Sequence, residues 1–335
     1  MSDVDTHATG SDGSAVVNPG AVQGLQTLGA PGGDVGQGKP VAERQGSLWS
    51  DAWRELRRSP TFWISSAVIL VFLVMAAFPA LFTLRMPASA RNPYDLHQWK
   101  CNLSNSLKGS SSGHPMGFDF QGCDVYAQTI YGARASISVG FLVVILATLI
   151  GATLGIVAGY YGGWVDGIIS RVVDVFFGLP YVLGGIVILT ILQLPGITGV
   201  VVALTALGWV GTARIARSSV ISVRDADFVV AARSLGASST RILLRHIVPN
   251  SLAPLIVIST VGLGAIVASE ATFSFLGIGV QPPTISWGTL ISDASGNFIQ
   301  AAHPLLWPSG TLTVAVLSFI VLGDTVREAL DPKLR

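Results

Sequence analysis

Six stretches of the chain are long, apolar and nearly free of charge, and polar or glycine- and proline-rich segments separate them. They fall at about 62–82, 135–160, 168–192, 200–213, 252–276 and 305–322. A helix needs about 20 mostly apolar residues to cross a hydrocarbon core of about 30 Å. Each stretch is therefore predicted to be a membrane-crossing helix, the fourth being the shortest and expected to extend. Ahead of the first, Leu48, Trp49, Ala52, Trp53 and Leu56 recur at helical spacing. Asp51, Arg54, Glu55, Arg57 and Arg58 occupy the other side. Residues 47–60 thus read as an amphipathic helix lying on the membrane, with tryptophans at headgroup depth and Ser59-Pro60 as its end. Residues 1–46 hold no aromatic side chain and show no period, and are expected to be a disordered tail. With some 60 charged or weakly hydrophobic residues before it, the first span does not read as a signal peptide. The predicted architecture is all-α and polytopic: the tail, the surface helix, and a six-helix membrane domain over 61–335.

Composition sharpens this picture. Of 335 residues, 50% are hydrophobic and only 12% charged, where soluble domains carry roughly a quarter charged. A net charge of +1 lacks the basic excess of a nucleic-acid binder. Lysine and arginine also orient the chain. Arg54, Arg57, Arg58, Arg171, Arg214, Arg217, Arg224, Arg233, Arg241, Arg245, Arg327, Lys333 and Arg335 fall in one set of segments. Arg85, Arg91, Lys100 and Lys108 lie in the long loop 83–134 on the other side. The arginine-rich set is assigned to the cytoplasm, which places both termini inside and the loop outside, in a cytoplasmic membrane.

That loop contains Cys101 and Cys123. Two readings stand: a disulfide, or two unpaired thiols in a flexible loop. The oxidising side of the membrane favours the disulfide, which would close about 20 residues and contribute about 3 kcal/mol.

Reactive motifs are sparse. Gly33 to Lys39 matches the start of a phosphate-binding loop, GxxxxGK, but Pro40 stands where Ser or Thr would hold magnesium, and no apolar strand precedes it. No HExxH or GxSxG motif and no cluster of metal ligands occurs, so no enzyme, cofactor or metal site is expected in this chain. Glu270 is the one carboxylate deep in an apolar span. It is expected to face the bundle interior, either lining a solute path or holding helices together. Asp166, Arg171 and Asp174 sit near one end of the third span, with Arg171 and Asp174 spaced to pair at i,i+3.

The segment 214–251 is the most informative. Phe228, Ala231, Ala232 and Leu235 share one helical face, and Gly236 stands where a helix ends in a positive-φ residue. Ser238 or Ser239 can cap a second helix over 240–247, which Pro249 is expected to terminate. By pattern alone, the first helix is either an ordinary surface helix or one shaped to dock into a partner's groove.

Val230-Ala231-Ala232, then Gly236, then Ile247-Val248-Pro249 resembles the EAA signature of ABC importer permeases. His114-Pro115-Met116-Gly117-Phe118-Asp119 with Gly122-Cys123-Asp124-Val125 is similar to the HPLGTDxxGRDV stretch of the dipeptide/oligopeptide/nickel class, C-type subunit. Tyr131 to Arg134, Ala158 to Gly163, Glu270-Ala271 with Phe275-Leu276-Gly277, Ser286-Trp287-Gly288 and Gly323-Asp324 through Leu330-Asp331-Pro332 extend the likeness over about 48–335. Two positions depart from it: Val230 replaces the glutamate of EAA, and Cys123 replaces an arginine. Asp227, one turn before Val230, is the remaining acid there.

The resemblance implies a type I ABC importer permease fold, working without covalent chemistry in this subunit. It implies that Asp227, Phe228, Ala231, Ala232, Arg233, Leu235 and Gly236 form a coupling helix docking into an ATPase. It also implies two ATP-binding cassette subunits that bind ATP and magnesium, a second homologous permease, and an extracytoplasmic peptide-binding protein. The expected cargo is a di- or oligopeptide, with nickel or another small solute as the alternative. A stand-alone secondary transporter is the rival class, and would call for paired broken helices and midplane carboxylates in both halves.

Overall fold

The computed structural model describes residues 48–95, 98–194 and 196–330. The tail 1–46, the GxxxxGK match, Pro195 and the final residues 331–335 lie outside these. The described residues are almost wholly helical. In chain order the helices are α1 (Leu48–Leu56), α2 (Pro60–Ala77), α3 (Pro79–Thr83), α4 (Ala88–Arg91) and α5 (Val125–Tyr161). There follow α6 (Gly163–Phe177), α7 (Tyr181–Leu192), α8 (Gly196–Arg224), α9 (Asp227–Ser234) and α10 (Ser239–Ile242). The chain ends in α11 (Val248–Phe275), α12 (Trp287–Ser295) and α13 (His303–Leu330).

Five helices are long and apolar enough to cross a membrane: α2, α5, α8, α11 with its α10 leader, and α13. The remaining apolar stretch forms two helices rather than one. α6 and α7 meet at an angle of 93°, because Pro180 lacks an amide hydrogen and drives Leu179 out of helical geometry. The expected single helix over 168–192 is therefore an elbow.

α5 and α8 form the central seam. Gly151, Gly155 and Gly159 of α5 face the carbonyls of Trp209, Ala213 and Arg217 so closely that any Cβ would collide with them. The matching four-residue steps show that the two helices run parallel, backbone against backbone. α11 crosses α5 through Gly140, whose missing side chain admits Val267, and α13 closes on α11. A core of Ile69, Phe72, Met75, Ile137, Val267, Trp287 and Phe319 joins α2, α5, α11, α12 and α13.

Three boundaries depart from expectation. α5 begins ten residues before the predicted span, because Val125, Ala127, Thr129, Ile130, Tyr131 and Ala133 are buried, Ala127 against the preceding loop and Ile130 and Ala133 in the core shared with α2 and α12. α8 runs on to Arg224, well beyond the predicted Ala213. Pro249 does not stop a helix. The chain passes from α10 through a widened π-turn at Leu243–Ile247 into α11, and Pro249 sits in its first turn, where an amide donor is not needed.

Candidate functional site

The bundle has two structured ends. At one, α9 and α10 cover the ends of α5 and α8. Val229 of α9 is 0% exposed and packs with Val220, Ile242 and Ile247, while Ile156, Tyr160 and Ala232 close around them. The inward face of α9 is thus Val229 and Ala232, not Ala232 together with Phe228 and Leu235. Phe228, Val230, Ala231, Arg233 and Leu235 point outward, and Leu235 is 89% exposed. Phe228 lies near the His246 ring.

α9 ends in a Schellman motif. Gly236, at φ +80°, donates to Arg233 O at 3.0 Å, and Ala237 N donates to Ala232 O at 3.1 Å. Only glycine takes that backbone shape without strain. Neither Ser238 nor Ser239 caps α10 through its side chain. Tyr160 Oη donates to Ser239 O at 3.3 Å, and Arg224 Nη1 donates to Gly159 O at 2.9 Å, so this end is tied directly to α5.

Two ion pairs fasten α6 to α8 near the same end. Arg217 grips Asp166 with Nε and Nη2, and Ser170 donates to the same carboxylate at 3.1 Å. Arg214 Nη2 donates to Asp174 Oδ1 at 2.8 Å, and its guanidinium lies 3.9 Å from the centre of the Phe177 ring. The expected Arg171–Asp174 pair within α6 does not form, because Asp174 faces α8 and takes its partner there. The sequence signal for these contacts was present: two acids eight apart on one span, two arginines three apart on the next.

A groove of 430 Å³ opens between α5, the α6–α7 elbow, α8 and α11. Val144, Ala147, Leu179, Leu207 and Ile266 supply apolar wall, and Thr148, Tyr181, Thr212, Ser259 and Ser269 are its hydroxyl-bearing residues. Thr148 and Ser259 bond across it at 2.8 Å. No charged side chain lines it.

Glu270 is elsewhere. It is 0% exposed, absent from the groove, and sealed where α5, α11 and the start of α12 meet. Ser274 Oγ donates to Glu270 Oε1 at 2.7 Å, and the hydroxyls of Ser136 and Ser286 flank the carboxylate; Oε2 has no hydrogen-bond partner. Trp287, also 0% exposed, donates from its amide to Ser136 Oγ at 3.2 Å and from its indole to Thr129 O at 3.0 Å. Of the two roles open to Glu270, this placement fits the one that holds helices together.

At this second end the loop 99–124 is closed by a Cys101–Cys123 disulfide, Cα atoms 4.3 Å apart. The histidine, the two carboxylates and the cysteine of the His114–Val125 motif each have a task. Asp124 caps α5, accepting from Ala127 N at 2.7 Å, and its other oxygen meets His114 Nδ1 at 2.6 Å. Asp119 accepts from the amides of Gln121 and Cys123, each at 2.8 Å, and from Gln128 Nε2 at 2.8 Å. Gly122, at φ +75°, lies where a Cβ would strike the Asn102 backbone. His303, opening α13, meets Phe118 O at 3.1 Å through Nε2. Burial pushes the carboxyls of Asp119 and Asp124 above the ordinary range, despite the bonds they accept. Arg134 completes this end by donating to Ala76 O and Ala77 O at the close of α2.

Comparison with known proteins bears on these features together. Residues 151–335 match the family of binding-protein-dependent transport system inner membrane components. Residues 47–105 match the N-terminal TM domain of oligopeptide transport permease C. The dipeptide transport system permease protein DppC of Alkalihalophilus pseudofirmus is 38% identical over 290 residues, covering 86% of this chain and 91% of that protein. The oligopeptide transport system permease protein OppC of Bacillus subtilis is 34% identical, covering 90% of this chain and 95% of that one. A structure of the MetNI methionine ABC transporter in inward-facing form superposes with a TM-score of 0.50 at 17% identity, covering 61% of this chain and 96% of that one.

Proposed function

The chain belongs to the binding-protein-dependent transport system inner membrane components, and from that premise we propose that it is one permease half of an ATP-driven importer of di- or oligopeptides. The observation that carries this reading is α9. It anchors through Val229 and Ala232 and presents Phe228, Ala231 and Leu235 outward, with the chain turned back at Gly236. An exposed apolar helix face of this kind, at the end of the bundle rich in arginine, suits a groove on a cytoplasmic ATPase subunit. Val230 leaves this face without the usual glutamate, and Asp227 is the acid that remains to it.

In this reading, ATP and magnesium bind to the partner subunits and the chain supplies no catalytic group. Closure of the ATPases moves α9; the Arg224–Gly159 and Tyr160–Ser239 contacts pass that displacement to α5, and the bundle rocks between two access states. The 430 Å³ groove is one wall of the path, closed by a second homologous permease. The disulfide-closed loop and α12 face the extracytoplasmic binding protein, and both chain ends lie in the cytoplasm.

The test is purification of the chain from its own membranes. ATPase subunits that accompany the wild type and are lost from Gly236→Val would support the reading. A chain that purifies alone and moves solute in vesicles without ATP would end it.

A further inference from the structure

The groove between α5, the elbow, α8 and α11 holds no charge along its length. Charge lies beyond it, in a second cavity of 420 Å³ next along α6 and α8 toward the α9 end, lined by Ser170, Asp174, Arg214 and Arg217. Phe177 bounds the groove and carries the Arg214 guanidinium on its face, so the Asp174–Arg214 pair stands beside the groove's end.

The two ion pairs here are not alike. Arg217 and Asp166 bond through two contacts, Ser170 supports the carboxylate, and the two side chains are 39% and 20% exposed. That pair suffices to fasten α6 to α8. Arg214 and Asp174 share one contact, with side chains 42% and 56% exposed. Asp174 Oδ2 has no second protein partner among the described residues, and neither has Arg214 beyond the ring of Phe177. A single contact between two half-exposed ions is the weak kind, easily exchanged for other partners.

We propose that Asp174 and Arg214 are a self-occupied zwitterion site, which takes the ammonium and carboxylate ends of a short peptide as it leaves the groove. The inference rests on the peptide-importer reading and adds the residues that read the cargo. A dipeptide holds its charged ends about 6 Å apart, against 2.8 Å between the two protein groups. The pair therefore parts when cargo arrives: Arg214 slides off Phe177 to the carboxylate, and Asp174 receives the ammonium. When cargo departs the two ions close on each other, and neither is left without a counter-charge. A passage otherwise walled by methyls and hydroxyls accepts varied side chains, while the two ends common to every free peptide are recognised at one place.

The experiment uses the whole complex, with its ATPase and second permease, in nanodiscs without the binding protein. Equilibrium binding is measured for radiolabelled Ala-Ala, Ala-Ala-amide and N-acetyl-Ala-Ala. Arg214→Gln is expected to weaken Ala-Ala about tenfold, the loss of one charge-assisted contact, and not to weaken Ala-Ala-amide, whose ammonium no longer has to displace Arg214 from Asp174. Asp174→Asn is expected to weaken Ala-Ala to a similar degree and not to weaken N-acetyl-Ala-Ala. Equal weakening of all three ligands, no weakening, or no binding by the wild type overturns the site. ATP-driven uptake of Ala-Ala by the wild-type complex, with binding protein added, is read in parallel. Uptake alongside a flat binding pattern removes the site alone; absence of uptake removes the importer reading itself.

Discussion

Arg224, the last residue of α8, reaches back to the carbonyl of Gly159, two residues before the close of α5, and bonds it at 2.9 Å. The two helices thus share a clasp at the end that carries α9, below the glycine seam that packs them backbone to backbone. Only Asp225 and Ala226 separate Arg224 from α9, so in the proposed coupling a push on α9 would reach α5 through this guanidinium.

Arg224→Gln is therefore expected to uncouple rather than unfold. Its local cost is about 1 kcal/mol, since the side chain is partly exposed. ATP hydrolysis by the assembled complex should persist while peptide imported per ATP falls severalfold. Unchanged stoichiometry in reconstituted vesicles would show that the clasp carries no motion.

The two faces of α9 should separate stability from docking. Val229→Ala removes two methyl groups from a closed core and should cost about 2 kcal/mol, seen as a lower melting temperature. Leu235→Ala, at an 89% exposed position, should leave melting unchanged and lower the yield of co-purified ATPase. The reverse pattern would mean that α9 has been assigned the wrong way round.

Glu270 gives a graded pair. Glu270→Gln retains an oxygen for Ser274 and should preserve assembly and uptake. Glu270→Ala leaves buried serine hydroxyls facing a void and should cost about 3 kcal/mol, loosening α12. Normal assembly with lost uptake in the Gln variant would return Glu270 to the path.

Replacing Cys101 and Cys123 together by serine should release about 3 kcal/mol of constraint on the loop. Faster hydrogen exchange over 99–124, with the membrane helices unaltered, is the expected signature. Uniform exchange changes across the chain would point to a wider role.

Asp119 gives the loop a pH dependence of known sign. Burial raises its native carboxyl pKa above the 3.8 of an exposed group, and burial followed by the charge of Asp119 raises that of Asp293. Between the raised values and 3.8 the native loop binds more protons than the unfolded one. Its stability therefore rises as pH falls through that window and levels off below 3.8. Exchange protection, corrected for intrinsic rates, should follow this course, and Asp119→Asn should lessen its slope, the raised carboxyls of Asp124 and Asp293 keeping the rest.

Hydropathy finds membrane helices because the bilayer imposes length and apolarity on each of them separately, and five straight spans and the apolar stretch of the bent pair α6–α7 were legible that way. It carries no angle. The elbow is invisible to it although Pro180 marks the place, and the start of α5 is hidden because Gln128 and Arg134 look like loop until Asp119 in the preceding turn and Ala76 far back in α2 account for them. Arg171 and Asp174 have the spacing for a local pair, yet Asp174 is claimed by Arg214, forty residues away. Likewise the apolar face of α9 has two arcs, and which arc turns inward is decided by Val220, Ile242 and Ile247. The sequence marked the segment; only the fold says which side of it is free.

One helix links both ends of the molecule. α5 has 37 residues and so is about 56 Å long. It is clasped by Arg224 at one end, while Asp124 caps the other beneath the disulfide loop. Such a rod behaves as a lever: tilting by about five degrees around its middle carries each tip through about 2.5 Å. That travel is close to the lengths of the His114–Asp124 and His303–Phe118 contacts. In the proposed importer, a stroke delivered at the α9 end would thus be of the right size to make or break single hydrogen bonds at the other.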